Sequence, residues 1–206
     1  MPPRRSPVPA ALLLTPGAGA DRTHHTLVAI EKAVKPRRGE PDMGLKVGRV
    51  DFPYRKAGKV APDKAPAAVA HLGREAAKLV KRAGCAPEQL VLGGRSYGGR
   101  MCSMAVAEGL PAAGLVLLSY PLHPPGKPDN LRVDHFGSLH LPCLFVGGTK
   151  DPFGSPAEFD LHVAQIPGPV TQVWIEGAGH DVKDLKSIPR QQQVIDAVAG
   201  WLAELH

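Results

Sequence analysis

The sequence has little with which to staple itself or to span a membrane. Its three cysteines, Cys85, Cys102 and Cys143, are too few and too scattered for a disulfide framework, and none forms a C-x-x-C pair. That sparse, odd count suits a reducing compartment, and a cytoplasmic location is expected. No apolar run approaches the roughly 18 residues of a membrane helix. Aromatic residues make up only 5% of the chain. None of them interleave with basic residues in the way that stacks nucleobases, so nucleic-acid binding is not expected. The N-terminal stretch MPPRRSPVPAALLLTPGAGA imitates a secretory signal, but its apolar run AALLL is short and is crowded by Pro7 and Pro9. Export is therefore not expected.

What is present is an ordinary globular balance, with 43% apolar and 21% charged residues in 206, enough for one domain with a full core. The 23 glycines and 22 prolines fall between apolar runs and act as punctuation. Charge is uneven. Residues 1–100 carry 19 Lys and Arg against 8 Asp and Glu, and the remainder carries 6 against 11. The basic half reads as a solvated face.

Six apolar runs read as strands: Ala11–Thr15, Lys46–Phe52, Leu90–Gly93, Leu115–Ser119, Cys143–Gly147 and Val170–Ile175. Most are continuous, as in parallel strands buried on both faces. Helical patterns lie between them. Asp21 caps one that runs to about Lys35, with Val28, Ile30 and Val34 inward. Others cover Ala67–Ala83, Tyr97–Gly109, Pro156–Ala164 capped by Ser155, and Pro189–His206. This alternation predicts a three-layer α/β/α sandwich on a mostly parallel six-stranded sheet. A single domain is expected over residues 10–206, after a flexible N-terminal segment at 1–9. Ligands of such folds bind beyond the carboxyl ends of the strands.

The stretch GGRSYGGR, residues 93–100, competes for several meanings. A phosphate loop would need Lys then Ser or Thr after Gly99, where Arg100 and Met101 stand. A dinucleotide fingerprint starting at Gly17 fails at Arg22. What remains is G-x-S-x-G, flanked by the strand QLVLGG and the helix SYGGRMCSMAVAEG. A nucleophile elbow needs that strand–turn–helix setting, because Ser96 must stand at strained dihedrals above the sheet. A serine hydroxyl then needs a base, and the base an orienter, in the chain order Ser, carboxylate, His. Asp151 in LFVGGTKDPFG and His180 in VWIEGAGHDVKD both follow strands in that order. Asp151 before Pro152 would also suit a turn start, and His180 an exposed glycine-rich loop. A metal site of His180 with Asp181 and Asp184 lacks a second histidine at ligand spacing, and neither metal nor cofactor is expected. For the oxyanion, the backbone N–H of Tyr97 is one expected donor. TPGAGAD offers the other, Ala18 first and Gly19 second.

Taken together, LLLTPGAGAD, DFPYRKAGK, GGRSYGGRM, YPLHPPGKP with Leu131-Arg132, LFVGGTKDPFG and GAGHDVK resemble the α/β-hydrolase superfamily over residues 10–205. The narrower resemblance is to its dienelactone-hydrolase-related branch with the KANSL-type and testis-expressed α/β-hydrolase-like proteins, and YPLHPPGKP is its most specific part. The resemblance implies a minimal α/β-hydrolase fold without a lid domain, with Ser96, Asp151 and His180 as triad. Pro16 stands where the HG motif of lipases has histidine. The expected activity is hydrolysis of a small ester or thioester through an acyl-enzyme on Ser96. The alternative is a non-catalytic binding or scaffold module that engages a protein partner. Candidate substrate contacts are His123, Arg95 and Arg132. Arg100 and Lys127 add positive charge that would welcome an anionic substrate.

Overall fold

The structure is a computed structural model that describes residues 8–35, 44–184 and 189–205. In chain order the elements are β1 (Ala11–Thr15), α1 (His25–Ala33), β2 (Lys46–Arg49), α2 (Pro53–Lys56), α3 (Ala65–Ala83), β3 (Leu90–Arg95), α4 (Tyr97–Ala107), β4 (Gly114–Leu118), β5 (Cys143–Gly148), α5 (Pro156–Val163), β6 (Val170–Ile175) and α6 (Arg190–Glu204). The six strands form one sheet in the order β2-β1-β3-β4-β5-β6, and every pairing is parallel. The expectation of a mostly parallel sheet is therefore met by a wholly parallel one. Of the expected segment at 1–9, only residues 8 and 9 are among those described, and the Val8 carbonyl accepts from Gln89 Nε2 at 3.2 Å.

Alternation along each strand divides the core in two. Leu13, Leu90, Leu92, Leu115, Leu117 and Phe145 face a cluster shared with α3 and α4, through residues such as Leu72, Leu79, Met101 and Ala105. Leu12, Leu14, Val91, Val116, Leu144 and Val146 face the opposite cluster, closed by Leu27 and Ile30 of α1 and by Val194, Val198 and Leu202 of α6. Both faces are thus dry, which is why the strand sequences read as unbroken apolar runs.

Three local expectations need correction. The run Lys46–Phe52 stops pairing at Arg49, because Pro53 opens α2 and Phe52 turns into the core against Tyr97, with ring centroids 5.0 Å apart. The N-cap of α1 is His24, whose Nδ1 accepts from Thr26 N at 3.3 Å, while Asp21 accepts from Thr23 N at 2.7 Å in the preceding turn. In α1 it is Leu27 that is buried beside Ile30, and Val28 is only partly covered. Ser155 caps α5 as expected, with Glu158 completing a capping box. No helix among the described residues is long and apolar enough to cross a membrane.

Candidate active site

The turn between β3 and α4 holds Ser96 at φ 51°, ψ −118°, a backbone region that residues with a side chain seldom occupy. It is pinned from both sides: Ser96 N donates to Leu118 O at 2.8 Å, and Arg100 N donates to Ser96 O at 3.0 Å. The sharp bend requires glycine at two places. A Cβ on Gly94 would lie 2.2 Å from Thr15 Oγ1 and 2.5 Å from the Gly98 carbonyl carbon, and a Cβ on Gly98 would lie 2.4 Å from Pro16 O. The spacing of G-x-S-x-G is therefore a packing requirement against the end of β1.

Asp151 and His180 stand on the loops that follow β5 and β6, adjacent strands that carry both side chains to the same end of the sheet as Ser96. The two loops are laced together by Lys150 N to Ala178 O at 2.9 Å and Gly177 N to Thr149 Oγ1 at 2.8 Å. His180 Nδ1 lies 2.8 Å from Asp151 Oδ2, and His180 Nε2 lies 2.9 Å from Ser96 Oγ. An ionised carboxylate only accepts, so Nδ1 carries the proton and Nε2 is left to accept from the serine hydroxyl. Asp151 is buried, and its other oxygen accepts from Phe153 N at 2.9 Å. The Phe153 ring lies over the imidazole, with centroids 4.2 Å apart. Among the described residues no cluster of three or more His, Cys, Asp or Glu is arranged to hold a metal ion.

Beside Ser96 lies a cleft of about 250 Å³, lined by Ala18, Pro62, Tyr97, Arg100, Pro121, Arg132 and Phe153. Ala18 borders it, whereas Gly19 is exposed and lies outside the lining. The Tyr54 hydroxyl donates to Ala18 O at 2.7 Å, and the Tyr97 hydroxyl donates to Asp63 O at 2.8 Å, so two tyrosines tie the rim loops down. Burial raises the pKa of both phenols, which keeps them as donors. Tyr97 is the first residue of α4, where a backbone N–H has no intrahelical acceptor. A larger hollow of about 550 Å³ beside the edge strand β2 is lined by none of the expected site residues.

The candidate substrate contacts separate. Arg132 lines the cleft. Arg95 is buried and turned away: its guanidinium donates to His180 O at 3.0 Å and to the Asp181 carboxylate. His123 is also buried. Its Nδ1 lies 2.9 Å from Pro124 O and its Nε2 3.2 Å from Glu158, which fastens the 121–142 connection to α5. Lys127 is exposed and is absent from the cleft lining. Sequence reasoning did not single out Phe153, Tyr54 or Asp63. The proximity of Phe153 to Asp151 in sequence was the only available signal, since Tyr54 in α2 and Asp63 in the loop after it reach the site from more than thirty residues upstream of Ser96.

The fold is shared with proteins of known structure. Est1E from Butyrivibrio proteoclasticus, solved with ferulic acid bound, superposes with a TM-score of 0.74 at 17% identity, over 98% of this chain and 92% of that one. A dienelactone hydrolase from Anabaena variabilis gives 0.75 at 16% identity, over 98% and 88%. An α/β serine hydrolase homologue from Coxiella burnetii gives 0.68 at 17%, over 98% and 87%. These similarities establish the fold. The alpha/beta hydrolase domain family matches residues 8–204, nearly the whole chain, and the chain therefore belongs to that family.

Proposed function

We propose that the protein is a serine hydrolase of small carboxylic esters or thioesters. The observation that carries the reading is the continuous line from Asp151 through His180 to Ser96, with contacts of 2.8 and 2.9 Å. Ser96 Oγ attacks the carbonyl carbon as its proton passes to His180 Nε2. The resulting oxyanion is held by the N–H groups of Tyr97 and Ala18, with the N-terminus of α4 favouring the negative charge. Collapse of the intermediate breaks the ester bond, and the leaving alcohol or thiol takes the proton from His180. Water then gives a proton to His180 and attacks the acyl carbon. The carboxylic acid leaves and Ser96 regains its hydrogen. Asp151 keeps the imidazole in the required tautomer throughout.

The likeness to Est1E and to a dienelactone hydrolase supports ester chemistry. The narrower placement in the dienelactone-hydrolase-related branch with the KANSL-type and testis-expressed proteins rests on YPLHPPGKP. The three free cysteines, two of them buried, fit the expected cytoplasmic location. A fluorophosphonate probe is expected to label the purified wild type, and Ser96→Ala to abolish labelling. A wild type that stays unlabelled and inert towards short 4-nitrophenyl esters would overturn the reading in favour of a non-catalytic module.

Arg95 enters this reading as a positioning residue. Arg95→Met keeps the buried bulk but removes both bonds to the histidine loop. Its kcat is expected to fall about tenfold with KM little changed, the pattern of a base out of place. Steady-state kinetics on a 4-nitrophenyl ester check this, and a change in KM alone would return Arg95 to substrate binding.

A further inference from the structure

The loop after β1 reads Pro16-Gly17-Ala18-Gly19-Ala20 and runs close to the elbow. A Cβ on Gly17 would lie 3.4 Å from Ser96 Cβ. Ala20 N donates to Gly17 O at 3.1 Å, so residues 17–20 form a β-turn with Ala18 and Gly19 at its centre. Glycine at the third place of a turn invites type II, which needs positive φ there. Gly19 is not at positive φ, and neither is Ala18, which leaves the type I form. The two forms differ by a flip of the peptide between Ala18 and Gly19. The flip reverses the Ala18 carbonyl and leaves the Gly17–Ala20 bond in place.

One side chain meets that carbonyl. Ala18 O accepts from the Tyr54 hydroxyl at 2.7 Å, and Tyr54 is only 2% exposed, so a lost bond would leave the hydroxyl buried and unpaired. The Tyr54 ring packs on Tyr97 and Phe52, with centroids 6.2 and 6.3 Å away. Tyr54 N donates to Asp63 Oδ2 at 3.1 Å, and Asp63 O accepts from the Tyr97 hydroxyl at 2.8 Å. The segment 54–63 thus grips both residues assigned to the oxyanion, Ala18 by its carbonyl and Tyr97 by its side chain. Further along the loop, Arg22 N donates to Asp51 Oδ1 at 2.6 Å, and Arg22 O accepts from the Arg49 guanidinium. The far end of the loop is therefore anchored to the end of β2, whereas the centre of the turn depends on the Tyr54 hydroxyl.

We propose that Tyr54 is a positioning residue for the oxyanion site, its hydroxyl holding the Ala18–Gly19 peptide in the type I form. The inference rests on the hydrolase reading and deepens it. Ala18 borders the cleft and Tyr54 does not, so the bond keeps the carbonyl directed out of the cleft. Flipped, the carbonyl would turn to the other face of the loop, and its negative end would oppose the charge that develops on the substrate oxygen. A buried hydroxyl bond biases such a two-state turn by about fivefold.

The test uses 4-nitrophenyl acetate and its thionoester, in which sulfur replaces the carbonyl oxygen, with the intact protein. Sulfur accepts N–H bonds poorly, so the pair reports on the oxyanion donors. Each kcat/KM is divided by the rate of the same ester in hydroxide solution. Both are measured on one preparation, so any loss of folded protein cancels from their ratio. The wild type is expected to favour the oxygen ester by about 10²-fold. Tyr54→Phe keeps the ring and removes the hydroxyl. Its kcat on the oxygen ester is expected to fall about fivefold with KM little changed, while the thionoester keeps its rate, so the ratio falls about fivefold. Adding Gly19→Ala to Tyr54→Phe is expected to restore most of the ratio. The new Cβ meets nothing within 4 Å, and alanine resists the positive φ of the flipped turn. A Tyr54→Phe ratio equal to that of the wild type would overturn the inference and leave the hydrolase standing. So would a double variant no better than Tyr54→Phe, or a fluorophosphonate-labelled wild type that treats the two esters alike. A wild type that neither labels nor turns over the oxygen ester would sink both readings together.

Discussion

His180→Ala is expected to lower kcat for a 4-nitrophenyl ester by about 10³-fold or more. The reason is the single acceptor offered to the Ser96 hydroxyl. His180 Nε2, 2.9 Å away, is the side-chain partner of Ser96 Oγ among the described residues. Without it the hydroxyl keeps its proton and is a poor nucleophile at neutral pH. Residual hydrolysis would come from the oxyanion donors and from binding alone. Stopped assays at high enzyme concentration measure the effect, and a loss of less than about tenfold would mean that Ser96 is not activated by this histidine.

The second large effect concerns stability and has an internal control. Gly98→Ala is expected to destabilise the fold by about 3 kcal/mol or more, because overpacking against fixed backbone cannot be relieved by a rotamer change. The new methyl would meet Pro16 O at 2.4 Å and Thr15 Oγ1 at 2.5 Å, and Thr15 is fully buried at the end of β1. The elbow would have to open, and labelling of Ser96 should be lost with it. Gly73→Ala, in α3, is expected to do the opposite. There a Cβ meets nothing within 4 Å, and alanine is the better helix former by about 1 kcal/mol. Urea midpoints of the two variants should move in opposite directions from the wild type. A Gly98→Ala protein as stable as the wild type would contradict the close approach of the elbow to β1.

The sheet was legible because its strands are buried on both sides, so apolar residues run without interruption and need no register to be recognised. Leu90–Arg95 and Cys143–Gly148 are of this kind. Lys46–Phe52 was overextended for the same reason: Phe52 is as apolar as a strand residue, but its partner is an aromatic cluster and not the sheet. That Ser96, Asp151 and His180 would meet was legible from their order and from their place after strands. The destinations of long side chains were not. Arg95 and Arg100 flank one glycine bend in sequence, yet one reaches back to the His180 loop and the other lines the cleft. Nothing local separates them; the strand that ends at Arg95 and the helix that begins at Tyr97 send them to different sides. The 121–142 connection was equally opaque, because what orders it is ring packing of its own Phe136 on Tyr120 and Phe145 and the contact of His123 with Glu158.

The distance along the chain between Ser96, Asp151 and His180 has a consequence for how the molecule forms. Ser96 and His180 are 84 residues apart, and His180 and Asp151 are 29 apart. The contact between serine and histidine spans β4 and β5, and it needs β6 paired in parallel at the edge of the sheet. Such non-local pairings lose chain entropy before any contact offsets it, so they belong to the slow part of folding. The contact of Ser96 with His180 is in this sense a property of the finished sheet, and a molecule lacking its last strands could not make it.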